Sequence, residues 1–89
     1  MTKCLVLNIY GRVQGVAFRY STLDKAKELG IKGFVKNEPD GTVYAEAEGD
    51  DTSLKTFVRW CCRGPASACV DKVDVKEGPV KGYYDFRIK

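Results

Sequence analysis

Cys4-Leu5-Val6-Leu7-Asn8-Ile9-Tyr10 runs into Gly11-Arg12-Val13-Gln14-Gly15-Val16-Ala17 and then into Phe18-Arg19-Tyr20-Ser21-Thr22-Leu23. These three stretches read as strand, loop and helix. In the first, Leu5, Leu7 and Ile9 alternate with Cys4, Val6, Asn8 and Tyr10, the period-two pattern of a strand with one face tolerant of polar groups. The second has two glycines four residues apart and no periodicity. In the third, Phe18, Thr22, Leu23, Ala26 and Leu29 follow three- and four-residue spacing as far as Gly30, a residue suited to a left-handed helix cap.

Working outward, Ile31 to Glu38 is a short segment rich in Val, Phe and Ile, and Thr42 to Glu48 alternates Val43, Ala45 and Ala47 against Tyr44, Glu46 and Glu48. Between them, Pro39-Asp40-Gly41 is a turn, the proline presetting one dihedral and the glycine accepting positive φ, so the two segments form a hairpin. Asp50, Asp51 and Thr52 supply capping side chains and N-terminal negative charge for a second helix with a Leu54, Phe57, Val58 and Cys61 stripe, stopped at Gly64-Pro65. Ala68 to Lys76 reads as a strand whose register breaks near Asp71, and Tyr84, Phe86 and Ile88 alternate with charged residues as a last short strand. The order is β-α-β-β-α-β with an extra C-terminal strand. With right-handed crossovers, this predicts a ferredoxin-like α+β sandwich in which two helices cover one face of an antiparallel sheet.

At 89 residues the chain is predicted to be one domain over 1–89, without linker or repeat. The absence of histidine excludes a histidine triad, a phosphohistidine intermediate and a histidine-bound metal. Fifteen Lys and Arg against twelve Asp and Glu leave a charge of +3, too slight to announce nucleic acid but compatible with a small anionic ligand. The Met1-Thr2-Lys3 start and the short apolar run after it are too small for a signal peptide or membrane span, so a cytoplasmic protein without membrane contact is expected. Cys4, Cys61, Cys62 and Cys69 are expected to be reduced packing thiols. No pair has C-x-x-C spacing, and the adjacent Cys61 and Cys62 would point to different sides of a helix.

Two polar features stand out. The loop from Gly11 to Ala17 delivers the chain into a helix whose second residue is Arg19. Unpaired N–H groups at a helix start, glycines that let neighbouring N–H groups converge, and a planar guanidinium together suit phosphate or carboxylate oxygens. The G-x-x-x-x-G-K-[ST] and G-x-G-x-x-G patterns are both missing, and a plain strand-to-helix connection explains the glycines equally well. Asn37 sits just before the hairpin turn, where asparagine also serves as a local cap for the backbone. It approaches the loop only if the right strands are neighbours, which sequence does not show.

Gly11-Arg12-Val13-Gln14-Gly15-Val16-Ala17-Phe18-Arg19 resembles the first signature of the acylphosphatases, and Gly33-Phe34-Val35-Lys36-Asn37-Glu38-Pro39-Asp40-Gly41-Thr42-Val43 resembles their second. The likeness extends over nearly the whole chain, through Ala47-Glu48-Gly49, Gly64-Pro65 and Asp85-Phe86-Arg87-Ile88. It implies the same ferredoxin-like fold and hydrolysis of acyl phosphates to a carboxylate and inorganic phosphate, with no metal or organic cofactor. It also implies a phosphate cradle made by the main-chain amides of Gln14, Gly15, Val16, Ala17 and Phe18 with Arg19, and a water oriented by Asn37. Ala17 departs from the glycine that many members carry, and affinity should suffer if that position needs positive φ. Arg12 is expected to have no role, and Glu38 and Asp40 to be turn and solubility residues.

A carboxylate leaving group has a pKa of about 4 to 5 and needs no general acid, so the lack of histidine fits this chemistry. The phosphate itself is expected to take the water's proton. A monomer acting on a small molecule is expected, with no nucleic acid partner. The rival reading is an RNA-binding module, which shares the element order. Lys32-Gly33-Phe34-Val35 faintly echoes the start of its motif, but Lys36 and Asn37 follow where stacking residues are needed, and Tyr10, Tyr44, Phe34 and Trp60 are more economically placed at core edges and surface. Acylphosphatase-like domains also occur within larger carbamoyl-transfer maturation proteins, against which the end at Lys89 favours a free-standing enzyme. A thiol role for Cys61 and Cys62 has only Arg59 and Arg63 beside it.

Overall fold

Alternation along the first strand sends Leu7 and Ile9 completely out of solvent, and the rest of the fold is arranged to cover them. The computed structural model describes residues 1–89. Its elements are β1 (Lys3–Arg12), α1 (Phe18–Leu29), β2 (Lys32–Asn37), β3 (Val43–Gly49), α2 (Asp51–Cys61), β4 (Cys69–Gly78) and β5 (Phe86–Ile88). The strands form one sheet in the order β4-β1-β3-β2-β5. Leu7 lies opposite Ala45, and Ala45 opposite Val35, so their side chains share the face on which the helices pack. α1 buries Phe18, Thr22 and Ala26 there, at four-residue intervals, and α2 buries Leu54, Phe57 and Cys61. The Asp50 side chain accepts a hydrogen bond from the Ser53 N–H at 2.7 Å and so caps α2, as its position before the apolar stripe predicts. This is the ferredoxin-like α+β sandwich.

Three features differ from the pattern in the sequence. The sheet is mixed rather than antiparallel, because β5 pairs in parallel with β2 through Gly33–Val35. β1 also continues through Gly11 and Arg12, which read as loop. These two residues stay on the ladder beyond a bulge, where Tyr10 faces Lys72 and Gly11 faces Val70. The skipped residue is Asp71, the point at which the register was expected to break. Finally, the four cysteines are all free but divide: Cys4 and Cys61 are buried, whereas Cys62 and Cys69 are exposed rather than core-packing. Burial drives the Cys61 thiol well above its ordinary pKa, which removes it as a thiolate nucleophile.

Tyr44, Glu46 and Glu48 lie on the face away from the helices, where alternation suggests solvent. The chain before β5 crosses that face and covers it. Glu48 accepts hydrogen bonds from the main-chain N–H groups of Lys81, Gly82 and Tyr83. Glu46 accepts from Lys81 Nζ at 2.6 Å, and from the hydroxyls of Tyr44 and Tyr83. Phe34 lies beneath the same strap, against Tyr44 and Tyr83 and under the Lys89 ammonium at 4.2 Å. A nucleic acid base would have to displace these groups to stack on Phe34.

Burial pushes the Glu46 carboxyl up, but the three donors and the Lys81 charge outweigh it and hold the group at about 2, below its usual 4.5. The folded value is the lower one, so the stabilisation is complete above about pH 4.5 and fades as pH falls towards 2. Glu46→Gln should therefore unfold in less urea than the wild type at neutral pH, with the gap closing near pH 2. Urea titrations across that range check this, and a gap independent of pH would remove the carboxylate from the strap's stability.

Candidate active site

β1 ends beside a bulge whose extra residue, Asp71, lies in β4, and the chain then leaves the sheet towards α1. Gly11 makes the bulge possible, since at φ 125° a side chain there would collide with the Cys69 carbonyl. Beyond it, Val13 and Phe18 are both buried in the core, and Phe18 packs against the Trp60 ring at 5.6 Å between centroids. Val16 also packs against the core, and its carbonyl accepts from the Ser67 hydroxyl at 2.9 Å. These contacts pin a short connection at both ends and in the middle. Within it, Gly15 has φ 72° and Ala17 has φ 61°, two left-handed residues flanking Val16. Left-handed residues within such a segment bring successive N–H groups together. The N–H groups of residues 14–17 donate to nothing within the protein. The first amides of α1 lack intrahelical acceptors as a matter of helix geometry.

Asn37 ends β2 on the face that the helices cover, in step with Gly33 and Val35. It faces Val43 of β3, and Val43 faces Ile9 of β1, so one strand separates Asn37 from the strand that leads into the loop. Loop and asparagine nevertheless meet in one cavity of about 300 Å³ lined by Val13, Gly15, Ala17, Phe18, Arg19, Tyr20 and Asn37. Asn37 Oδ1 is buried there without a hydrogen-bond partner. Arg19 is half-buried and joins none of the protein's ion pairs. A slightly larger hollow, of about 340 Å³, lies between α2 and the β1 and β4 strands. Of its three cations, Lys3 and Lys55 are tied to Asp51 while Arg59 joins no ion pair, and it holds no unpartnered buried polar atom.

The residues singled out from sequence do not all line this cavity. Gly15, Ala17, Phe18, Arg19 and Asn37 line it, but Gln14 and Val16 do not. Gln14 turns its side chain to the hairpin, where Nε2 donates to the carbonyls of Glu38 and Thr42, each at 2.8 Å. That contact spans more than twenty residues and carries no sequence signal. Val13 and Tyr20 line the cavity without having been singled out. Val13 is a buried apolar residue in a stretch without periodicity, and Tyr20 is an exposed aromatic that nothing local distinguishes. Arg12 is exposed, as its pattern suggests. Glu38 pairs with Lys36, and Asp40 accepts from the Thr42 N–H and hydroxyl, so both acids serve the turn. No group of three or more His, Cys, Asp or Glu residues is placed to share a metal ion, and no helix is long and apolar enough to cross a membrane.

Free loop amides, a cation without a counter-charge and an unpartnered carboxamide thus meet at one end of an α+β ferredoxin-like sandwich, an arrangement chemically suited to an anion. Residues 5–88 match the acylphosphatase family model, and the chain belongs to that family. It is 46% identical over 89 residues to an acylphosphatase of Nocardioides, an alignment covering all of this chain and 90% of the relative. The structure of an acylphosphatase from Coxiella burnetii superposes with a TM-score of 0.96 at 39% identity, covering 99% of this chain and 93% of the other. A full-length HypF, solved in its phosphate- and nucleotide-bound form, superposes at 0.90 with 32% identity. That match takes in all of this chain and 12% of the HypF chain.

Ala17 is the residue whose fit to the loop was in question. It is the one non-glycine residue with positive φ, and it does so as the residue preceding α1 without any side-chain cap. A left-handed conformation costs an alanine about 1 kcal/mol or more relative to glycine, offset in part by glycine's greater freedom when unfolded. Ala17→Gly should raise or preserve the unfolding free energy and tighten inhibition by inorganic phosphate. Ala17→Val should weaken both by more than about 1 kcal/mol. Thermal unfolding and phosphate inhibition constants measured together check this. Unchanged values in both variants would mean that the loop relaxes freely at this position.

Proposed function

We propose that the protein is a metal-independent acylphosphatase that holds the phosphate of an acyl phosphate in the residue 14–19 loop and directs a water at it from Asn37. The observation that carries this reading is the unpartnered Asn37 Oδ1, buried in the same cavity as the donor-rich loop. Leaving a buried acceptor unsatisfied costs about 1 to 3 kcal/mol, so its persistence calls for a partner supplied in the working state. In this reading a water donates one hydrogen to Oδ1 and turns a lone pair towards phosphorus. The amides of Gln14, Gly15, Val16, Ala17 and Phe18, with the Arg19 guanidinium, hold the phosphoryl oxygens.

The chemistry suits this inventory. The water oxygen forms a bond to phosphorus as the bond from phosphorus to the acyl oxygen breaks, and the electron pair of that bond leaves with the carboxylate. The departing group, with a pKa of about 4 to 5, requires no proton. The water's proton passes to an oxygen of the bound phosphate. Charge in a loose phosphoryl-transfer transition state gathers on the equatorial oxygens, which is where fixed amides and a guanidinium act most strongly. The cavity has no carboxylate among its lining residues, which supports the phosphate as proton acceptor.

Hydrolysis of benzoyl phosphate in excess EDTA tests the reading. Wild type should retain full activity in chelator, and Arg19→Ala should lose about a thousandfold in turnover, a barrier increase of about 4 kcal/mol. Asn37→Ala should lose kcat while inorganic phosphate still inhibits it. Near-normal turnover of a folded Arg19→Ala protein would dismiss the assignment. Loss of phosphate binding in Asn37→Ala would instead move that residue into the cradle.

A further inference from the structure

The geometry points to Gln14 as a positioning residue that sets the distance between the phosphate loop and the water held by Asn37, an inference that rests on the function proposed above. The loop follows β1 and Asn37 ends β2, and in the sheet β3 lies between those strands. The ladder alone therefore links the two halves of the site through a third strand. Gln14 bridges them directly over the start of β3. Its Nε2 donates to the carbonyl of Glu38, the residue after Asn37, and to the carbonyl of Thr42, the residue before β3, both at 2.8 Å. One amide group so ties the loop to both sides of the turn that follows Asn37.

The turn does not need Gln14 in order to close. Glu38 N–H donates to the Thr42 carbonyl at 2.8 Å, and Gly41 N–H donates to the Glu38 carbonyl at 3.1 Å. Asp40 braces the same turn through Thr42. Each carbonyl that Gln14 contacts thus keeps a main-chain partner without it. Core packing aside, the Gln14 side chain makes the hydrogen bonds that join the loop to this turn, two segments that belong to different parts of the sheet. In-line attack requires the water and the phosphorus at about 3 to 3.5 Å, and a misplacement of about 1 Å costs on the order of a hundredfold.

Gln14→Met keeps the length of the side chain and removes both donors, leaving the Gln14 main-chain N–H in the loop. With benzoyl phosphate, kcat should fall by roughly tenfold to a hundredfold while the inhibition constant for inorganic phosphate moves less than about threefold. The decisive comparison is the same substitution made in Asn37→Ala, where it should cost less than about twofold, because the water it positions is no longer held. A loss of equal size in both backgrounds would overturn the inference and assign Gln14 to general support of the fold. No loss in the wild-type background would overturn it as well. Gln14→Glu, which places a carboxylate against two carbonyls, should show the same dependence on Asn37 and provides a second reading if the methionine variant is poorly folded. Wild type inactive on benzoyl phosphate would sink the functional reading itself. An active enzyme that depends on Asn37 but shows no coupling to Gln14 would sink only this inference.

Discussion

Val13 and Phe18 are both buried, with four residues between them, and that spacing controls everything that follows at the site. A connection anchored so tightly has no slack to fold its amides back onto the protein. It turns through two left-handed residues and leaves its N–H groups unpaired. Side chains in this loop do mainly packing work, through Val13, Val16 and Phe18, while the backbone is left to meet a ligand. A site built this way is preorganised by the core, because moving the donors would require withdrawing apolar groups from it.

The strand-loop-helix order, the hairpin and both helices were legible because each rests on a local rule: period-two or helical spacing, a proline-glycine turn, an aspartate cap. Even the irregularity near Asp71 left a trace in its strand. What stayed hidden depends on contacts between distant segments. The parallel pairing of β5 with β2 and the strap over Glu46 and Glu48 are set by where the last ten residues return, which periodicity does not encode. The glutamates alternate with alanines as solvent-facing residues would, yet Glu46 and Glu48 are 6% and 3% exposed. Arg19 and Asn37 could be picked out by residue type and motif. That they share a cavity was implied by the family resemblance but not by the residue pattern, because one strand separates the segments that carry them.

The two faces of the sheet solve opposite electrostatic problems. On the strap side, buried carboxylates are satisfied within the chain by lysine, tyrosine and main-chain donors, so negative charge there is already spoken for. On the helix side, at the end where α1 begins, the donors are left without an acceptor and the acceptor Asn37 Oδ1 without a donor. The one buried side-chain polar atom without a partner lies at this end of the sheet. A small net charge of +3 is compatible with the proposed anion site, whose attraction would come from oriented dipoles and one guanidinium rather than from a basic surface.

Ala17 shows what such a site costs. Its left-handed backbone opposes the preference of an L-residue, and no cap side chain compensates. The conformation persists because Phe18 is fixed on one side and Val16 on the other, so the core holds the strain in place. Relaxing Ala17 into the right-handed region would rotate the peptide units on either side of it and redirect their N–H groups. The local preference of one residue is thus overruled by the burial of its neighbours, and the same burial that raises the energy of Ala17 would let the loop meet the proposed phosphate without rearranging.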